Sequence, residues 1–161
     1  MMLAESDIDL DYKAWCLRHG FDYRYPDQEN FDGDYALIVA SRQGRHELIE
    51  QLLADNCNPN CIDPYGNNAL WAACYAMCET CIELLLASSC DINYQNTSGN
   101  TVLMYAASSG RDHIVQKLLS AGADPFMQNH DDMTAMDLAS SWGSLTLLRQ
   151  CSSSAKSQQK N

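Results

Sequence analysis

Three cysteines, Cys74, Cys78 and Cys81, have three and then two residues between them, a spacing at which thiolates can hold three corners of an iron–sulfur cluster. Such ligands need a loop that can wrap the metal. Cys57 and Cys61 form another close pair, but no second ligand pair follows at zinc-finger spacing. The four histidines, His19, His46, His113 and His130, are scattered along the chain. No nucleophile is placed beside any of them, no paired carboxylates line a pocket, and no G-x-x-x-x-G-K-S/T phosphate loop is present. These residue types leave no catalytic site. One chemical role remains to be weighed, a redox or metal site built on Cys74, Cys78 and Cys81, and the elements that carry those cysteines decide its standing.

Those elements recur. Thr101 returns as Thr134 and Gly110 as Gly143, one period of 33 residues later. One period earlier, Leu103, Ala106 and Leu118–Leu119 align with Leu70, Ala73 and Leu85–Leu86. A second step back reaches Leu37, Ala40, Gly44 and Leu52–Leu53. Apolar positions kept in register at such a period signify a stacked solenoid. The register puts Cys74 on a first helix at the position of Ala107, and Cys81 on a second helix at that of Ile114. Both read as small apolar core residues, while Cys78 falls in the junction between helices. The cysteine spacing resembles that of radical S-adenosylmethionine enzymes, whose barrel does not fit in 161 residues. Cys57 and Cys90 share the position of Ala123, and stacked helices about 10 Å apart are too far for a direct disulfide between them. Cys61, near a turn tip, is expected to be an exposed thiol.

The periodic residues resemble the ankyrin repeat. GNTVLMYAASSG with LLSAGADP carries the pattern in the central unit, GNNALWAAC with LLLASSCDIN in the unit before it. DYALIVASRQG with LLADNCNPN carries it first and MTAMDLASSWG last, so the resemblance runs from Asn30 to about Arg149. It implies an all-α solenoid of helix-turn-helix units joined by β-turn or hairpin loops. The expected organisation is an N-terminal helical cap over 1–29 and repeats at 30–62, 63–95, 96–128 and 129–150. A disordered polar tail is expected over 151–161. Thr101, Thr134 and Asn68 are placed to cap first helices, with Asp34 as the substitute beside Tyr35. Met77 stands where Gly44, Gly110 and Gly143 mark the bend between helices, and Ser89 where Gly122 ends the second helix, so the turns there are expected to relax into another geometry.

With 46% apolar residues the chain can bury a core, and its net charge of −11 lacks the basic footprint of a nucleic-acid binder. Residues 1–34 hold nine acids against Lys13, Arg18 and Arg24, an acidic end that keeps an open stack soluble or meets a basic partner. No basic n-region precedes an apolar run, and no run reaches membrane-spanning length. Eight cysteines without a secretory signal point to free thiols in a reducing compartment. A cytoplasmic monomer without cofactors is expected.

The resemblance implies non-enzymatic binding of another protein, through turn tips and the outer face of each first helix lining a concave groove. The contact residues so assigned are Phe31, Asp32 and Asp34; Tyr65, Asn67 and Tyr75; Ser108; and Asp131, Met133 and Trp142. Trp71 and Met104 sit nearby and are expected to pack rather than bind. Aromatic anchors supply the affinity, and Asp32, Asp34 and Asp131 select a partner with a basic patch.

Overall fold

Nine helices follow one another along residues 5–158, the part of the chain that this computed structural model describes, with side chains described from residue 10 to residue 151. The order is α1 (Glu5–Arg18), α2 (Ala36–Arg42), α3 (His46–Ala54), α4 (Ala69–Tyr75), α5 (Glu79–Ala87), α6 (Val102–Ser108), α7 (Asp112–Ser120), α8 (Ala135–Leu138) and α9 (Trp142–Gln158). The only β pairing among the described residues is two isolated antiparallel bridges, Ile62 with Asn68 and Gln95 with Thr101. The described residues form an all-α fold of successive helix pairs, and the chain divides into two compact units, Met1–Cys90 and Asp91–Asn161.

In the first unit α2 packs on α3 and α4, and α5 packs on α3 and α4. Leu37, Ile49, Leu52, Leu70, Ile82 and Leu85 are fully buried there, each contributing about 2 kcal/mol of apolar transfer. Ala40 and Ala73, also fully buried, are small enough to let paired helices approach. The α1 segment closes this unit's end. Tyr12, Trp15, Cys16 and Phe21 are buried, and the Trp15 indole N–H donates to Gln43 Oε1 at 2.9 Å. In the second unit α6 packs on α7 and α8, and α9 on α7 and α8, around Leu103, Met104, Ile114, Leu118 and Leu148.

Each turn before a first helix is built the same way. The side-chain oxygens of Asn30, Asp63, Asn96 and Asn129 each accept two backbone N–H groups, from the residues two and four positions on. Those bonds are 2.9–3.1 Å long, and they satisfy donors that a turn otherwise leaves to water. Asn68, Thr101 and Thr134 then cap α4, α6 and α8. Asp34 does not cap α2. Its N-cap is Tyr35, without a side-chain bond, because the Asp34 carboxylate faces Arg42 at 3.2 Å.

The second repeat splits its two expected departures. Met77 adopts φ 55°, close to the 66° and 64° of Gly44 and Gly110, so that turn keeps its left-handed geometry instead of relaxing. At Ser89 the backbone does relax: Asn56 and Gly122, its counterparts, have positive φ, and Ser89 does not. Gly143 marks no bend and lies inside α9. There the Asp112 carboxylate accepts from the Ser141 hydroxyl, and from the Ser144 N–H and hydroxyl at 2.8 and 2.6 Å, anchoring the helix's first turn. A β-carbon at Gly143 would fall 1.9 Å from Asp112 Oδ2, so this glycine serves close approach. Helix α9 continues to Gln158, through residues expected to form a polar tail. Its start is fixed by Asp112, Leu148 anchors it in the core, and propagation from a formed turn is inexpensive for Ala, Lys and Gln. Residues 159–161 of that expected tail lie outside the described residues.

Met77 is largely exposed, so its side chain contributes little packing while its backbone is strained. Met77→Gly is expected to raise the urea midpoint by the equivalent of about 1 kcal/mol at unchanged m-value. A lower midpoint would contradict this account of the turn.

Candidate functional site

In the first unit the turn anchored by Asn30 holds Phe31 at its tip, fully exposed, and the turn anchored by Asp63 holds Tyr65, 76% exposed. Tyr75, the last residue of α4, is 68% exposed. Asp32 is exposed beside Phe31, whereas Asp34 is half-buried and bound to Arg42. Arg42 also reaches buried Asp63 at 3.2 Å, so of these two tip carboxylates Asp34 is engaged within the fold. Asn67 is half-buried and structural in its backbone, exchanging N–H and C=O bonds with Asp63. An open cleft of about 420 Å³ lies beside Phe31, between Arg18, His19, Val39 and Arg42.

In the second unit Asp131 is exposed at the tip that Asn129 anchors, and Met133 closes the same turn half-buried. Ser108 ends α6, exposed, its hydroxyl donating to the Tyr105 carbonyl at 3.0 Å. Trp142 opens α9 with 78% of its surface exposed, directly after the Ser141 that Asp112 holds. Hydrogen bonds from Ser141 and then Ser144 keep the Asp112 carboxyl below the usual carboxylate range. Met104 is buried and its sulfur accepts from the Thr101 N–H at 3.3 Å. Trp71 is half-buried.

Sequence reasoning missed Met77. The strained turn that keeps glycine geometry also holds this side chain in solvent, two residues from Tyr75. The signal was present, since a side chain at a junction glycine position has no core to enter.

The cysteines do not assemble into a metal centre. All eight are free, and among the described residues no group of three histidine, cysteine, aspartate or glutamate side chains comes together to hold an ion. Cys74 and Cys81 are fully buried on α4 and α5, and Cys78 is the N-cap of α5. Cys61 is buried, not exposed as its turn position suggested. Burial pushes its thiol, and those of Cys57 and Cys81, up to about 12.

A family model described as ankyrin repeats (3 copies) matches residues 2–96 and 78–155. Among solved structures, the chain is similar to the ankyrin repeat domain of Bcl-3, described as a unique member of the IkappaB protein family. The TM-score is 0.74 and the identity 28%, over 77% of this chain. The chain spans 55% of the length of that solved chain. No curated protein matches it.

Two outcomes follow from the site's chemistry. Iodoacetamide at mildly alkaline pH should leave Cys57 and Cys61 unmodified in the native protein and modify both once urea unfolds it; rapid native labelling of Cys61 would contradict its burial. The lowered Asp112 carboxyl adds stability that is complete above an unfolded aspartate's pKa of about 3.9 and is lost as pH falls through the lower folded value. The urea-midpoint gap between wild type and Asp112→Asn should therefore be open at neutral pH and close under acid. A gap independent of pH would contradict this.

Proposed function

The chain belongs to the ankyrin repeat family, and on that premise we propose that it is a non-enzymatic adaptor or regulatory module that binds another protein. Ankyrin repeats mediate protein–protein interaction in general. The proposed units of recognition are the repeats at 30–62, 63–95, 96–128 and 129–150, each offering its turn tip and the end of its first helix. The observation that carries the reading is the exposure of Phe31 and Tyr65 at turn tips, of Tyr75 at the end of α4 and of Trp142 at the start of α9.

An aromatic side chain covers roughly 150–250 Å² when docked, and area of that kind favours burial by about 25 cal/mol per Å². Such rings sit at the centre of binding energy in interfaces, with polar neighbours excluding water around them. Asp32 is exposed next to Phe31, and Asp131 is exposed at the tip that Asn129 anchors, in a chain of net charge −11. A partner presenting lysine or arginine fits this field, and the attraction raises association rate more than final affinity. The acidic balance disfavours nucleic acid as the partner. Among the described residues no helix is long and apolar enough to cross a membrane. A cytoplasmic monomer is the proposed working form.

The test is affinity capture from the native host with tagged full-length protein, followed by mass spectrometry and then by alanine variants against the captured partner. Tyr75→Ala and Trp142→Ala should each cost about 2 kcal/mol, roughly 30-fold in Kd, while leaving the melting temperature close to wild type. Undiminished binding by both variants would move the interface elsewhere.

A further inference from the structure

We propose that Cys78 and Cys81 form a dithiol redox site at the start of α5, converted to an intramolecular disulfide by small disulfides of the glutathione class. This goes beyond the recognition role and does not depend on it.

Cys78 is the N-cap of α5 and Cys81 its third helical residue, with a Glu79-Thr80 pair between them. The extended backbone at Cys78, φ −90° and ψ 97°, turns its side chain back over the helix start. Its sulfur accepts the Cys81 N–H at 3.4 Å. Residues three apart on a helix have β-carbons about 5–6 Å apart, and a disulfide needs about 3.5–4.5 Å, so closing the pair draws the backbone of Cys78, which lies outside the helix as its N-cap, toward the first turn. The equivalent N-caps of α3 and α7 are Arg45 and Arg111, neither of which makes a side-chain cap bond. Sulfur in this cap is particular to the second repeat.

The two thiols have different surroundings, which fixes the order of reaction. Cys78 is half-buried and Cys81 fully buried. Cys78 is the more accessible of the two and is the attacking group, while burial pushes the Cys81 thiol up to about 12 and holds it back as the resolving group. The Cys78 thiolate attacks one sulfur of the small disulfide RSSR, forming a Cys78–SR bond and releasing one RS⁻. Cys81 then yields its proton to that released thiolate, attacks the Cys78 sulfur and expels the second RS⁻. The protein dithiol loses two electrons and the small disulfide is reduced to two thiols.

Oxidation removes the thiol hydrogen that Cys78 directs at the Gly44 carbonyl, 3.8 Å away. The same junction carries Met77 in its strained turn and lies three residues from exposed Tyr75.

The full-length protein is equilibrated in glutathione redox buffers, quenched in acid, alkylated and mapped by peptide mass spectrometry. The expected wild-type product is a peptide lacking two hydrogens, linked Cys78 to Cys81, with at most a trace of glutathione retained. In Cys81→Ser, or Cys81→Ala should serine disturb the core, glutathione should stay on Cys78 as the major species. In Cys78→Ser neither product should form. The proposal is overturned if wild type and both Cys81 variants retain equal glutathione on Cys78. It is equally overturned if Cys78 stays unmodified throughout, or links to Cys74 instead.

Discussion

Four side chains set 33 residues apart, Asn30, Asp63, Asn96 and Asn129, hold the structure to its purpose. Each gathers two backbone N–H groups on one oxygen and so fixes a turn that has no sheet or helix to complete it. Each of those bonds replaces one to water and contributes about 0.5–1.5 kcal/mol net, so every anchor holds its turn by two such increments. What the turn gains in rigidity it passes to the residues at its tip. Phe31, Tyr65 and Asp131 stand on fixed backbone, and a side chain already held in place loses less entropy on docking.

The helices behind the turns supply the stability that lets the tips be costly. A repeat cannot bury its apolar face alone, and stacking against neighbours completes it. The alternation of alanine on one helix with leucine on the next is the physical form of that requirement. Ala73 admits a neighbouring helix and Leu85 fills the space that remains. In the second repeat this packing is strong enough to hold Met77 in a conformation that favours glycine. The core overrules the local preference, and exposes an apolar side chain in doing so.

Much of this could be read from sequence because it is periodic. The register of leucines and alanines predicts which helices exist, and Asn68, Thr101 and Thr134 cap where a polar side chain precedes an apolar run. The turn anchors were equally periodic but went unread, since Asn and Asp are common in loops for many reasons. What could not be read depends on contacts far apart in the chain. Asp34 pairs with Arg42 at the far end of α2, and Tyr35 stands at the N-cap. Gly143 is a helix residue because Asp112, from another helix, needs the space. Cys61 is buried although its local sequence marks a turn. The aromatic tips were legible as positions within the repeat, but their exposure is a property of the folded surface.

The central claim is that anchored turn tips, and the first-helix ends beside them, grip another protein. Hydrogen exchange measured by mass spectrometry on the full-length chain, free and saturated with the protein it captures, tests this most directly. The account predicts slowed exchange at residues 31–34, 64–67 and 130–133, at the ends of α4 and α6 and at the start of α9, with the second helices α3, α5 and α7 unchanged. Protection confined to α3, α5 and α7, with the tips exchanging as in the free protein, would contradict it.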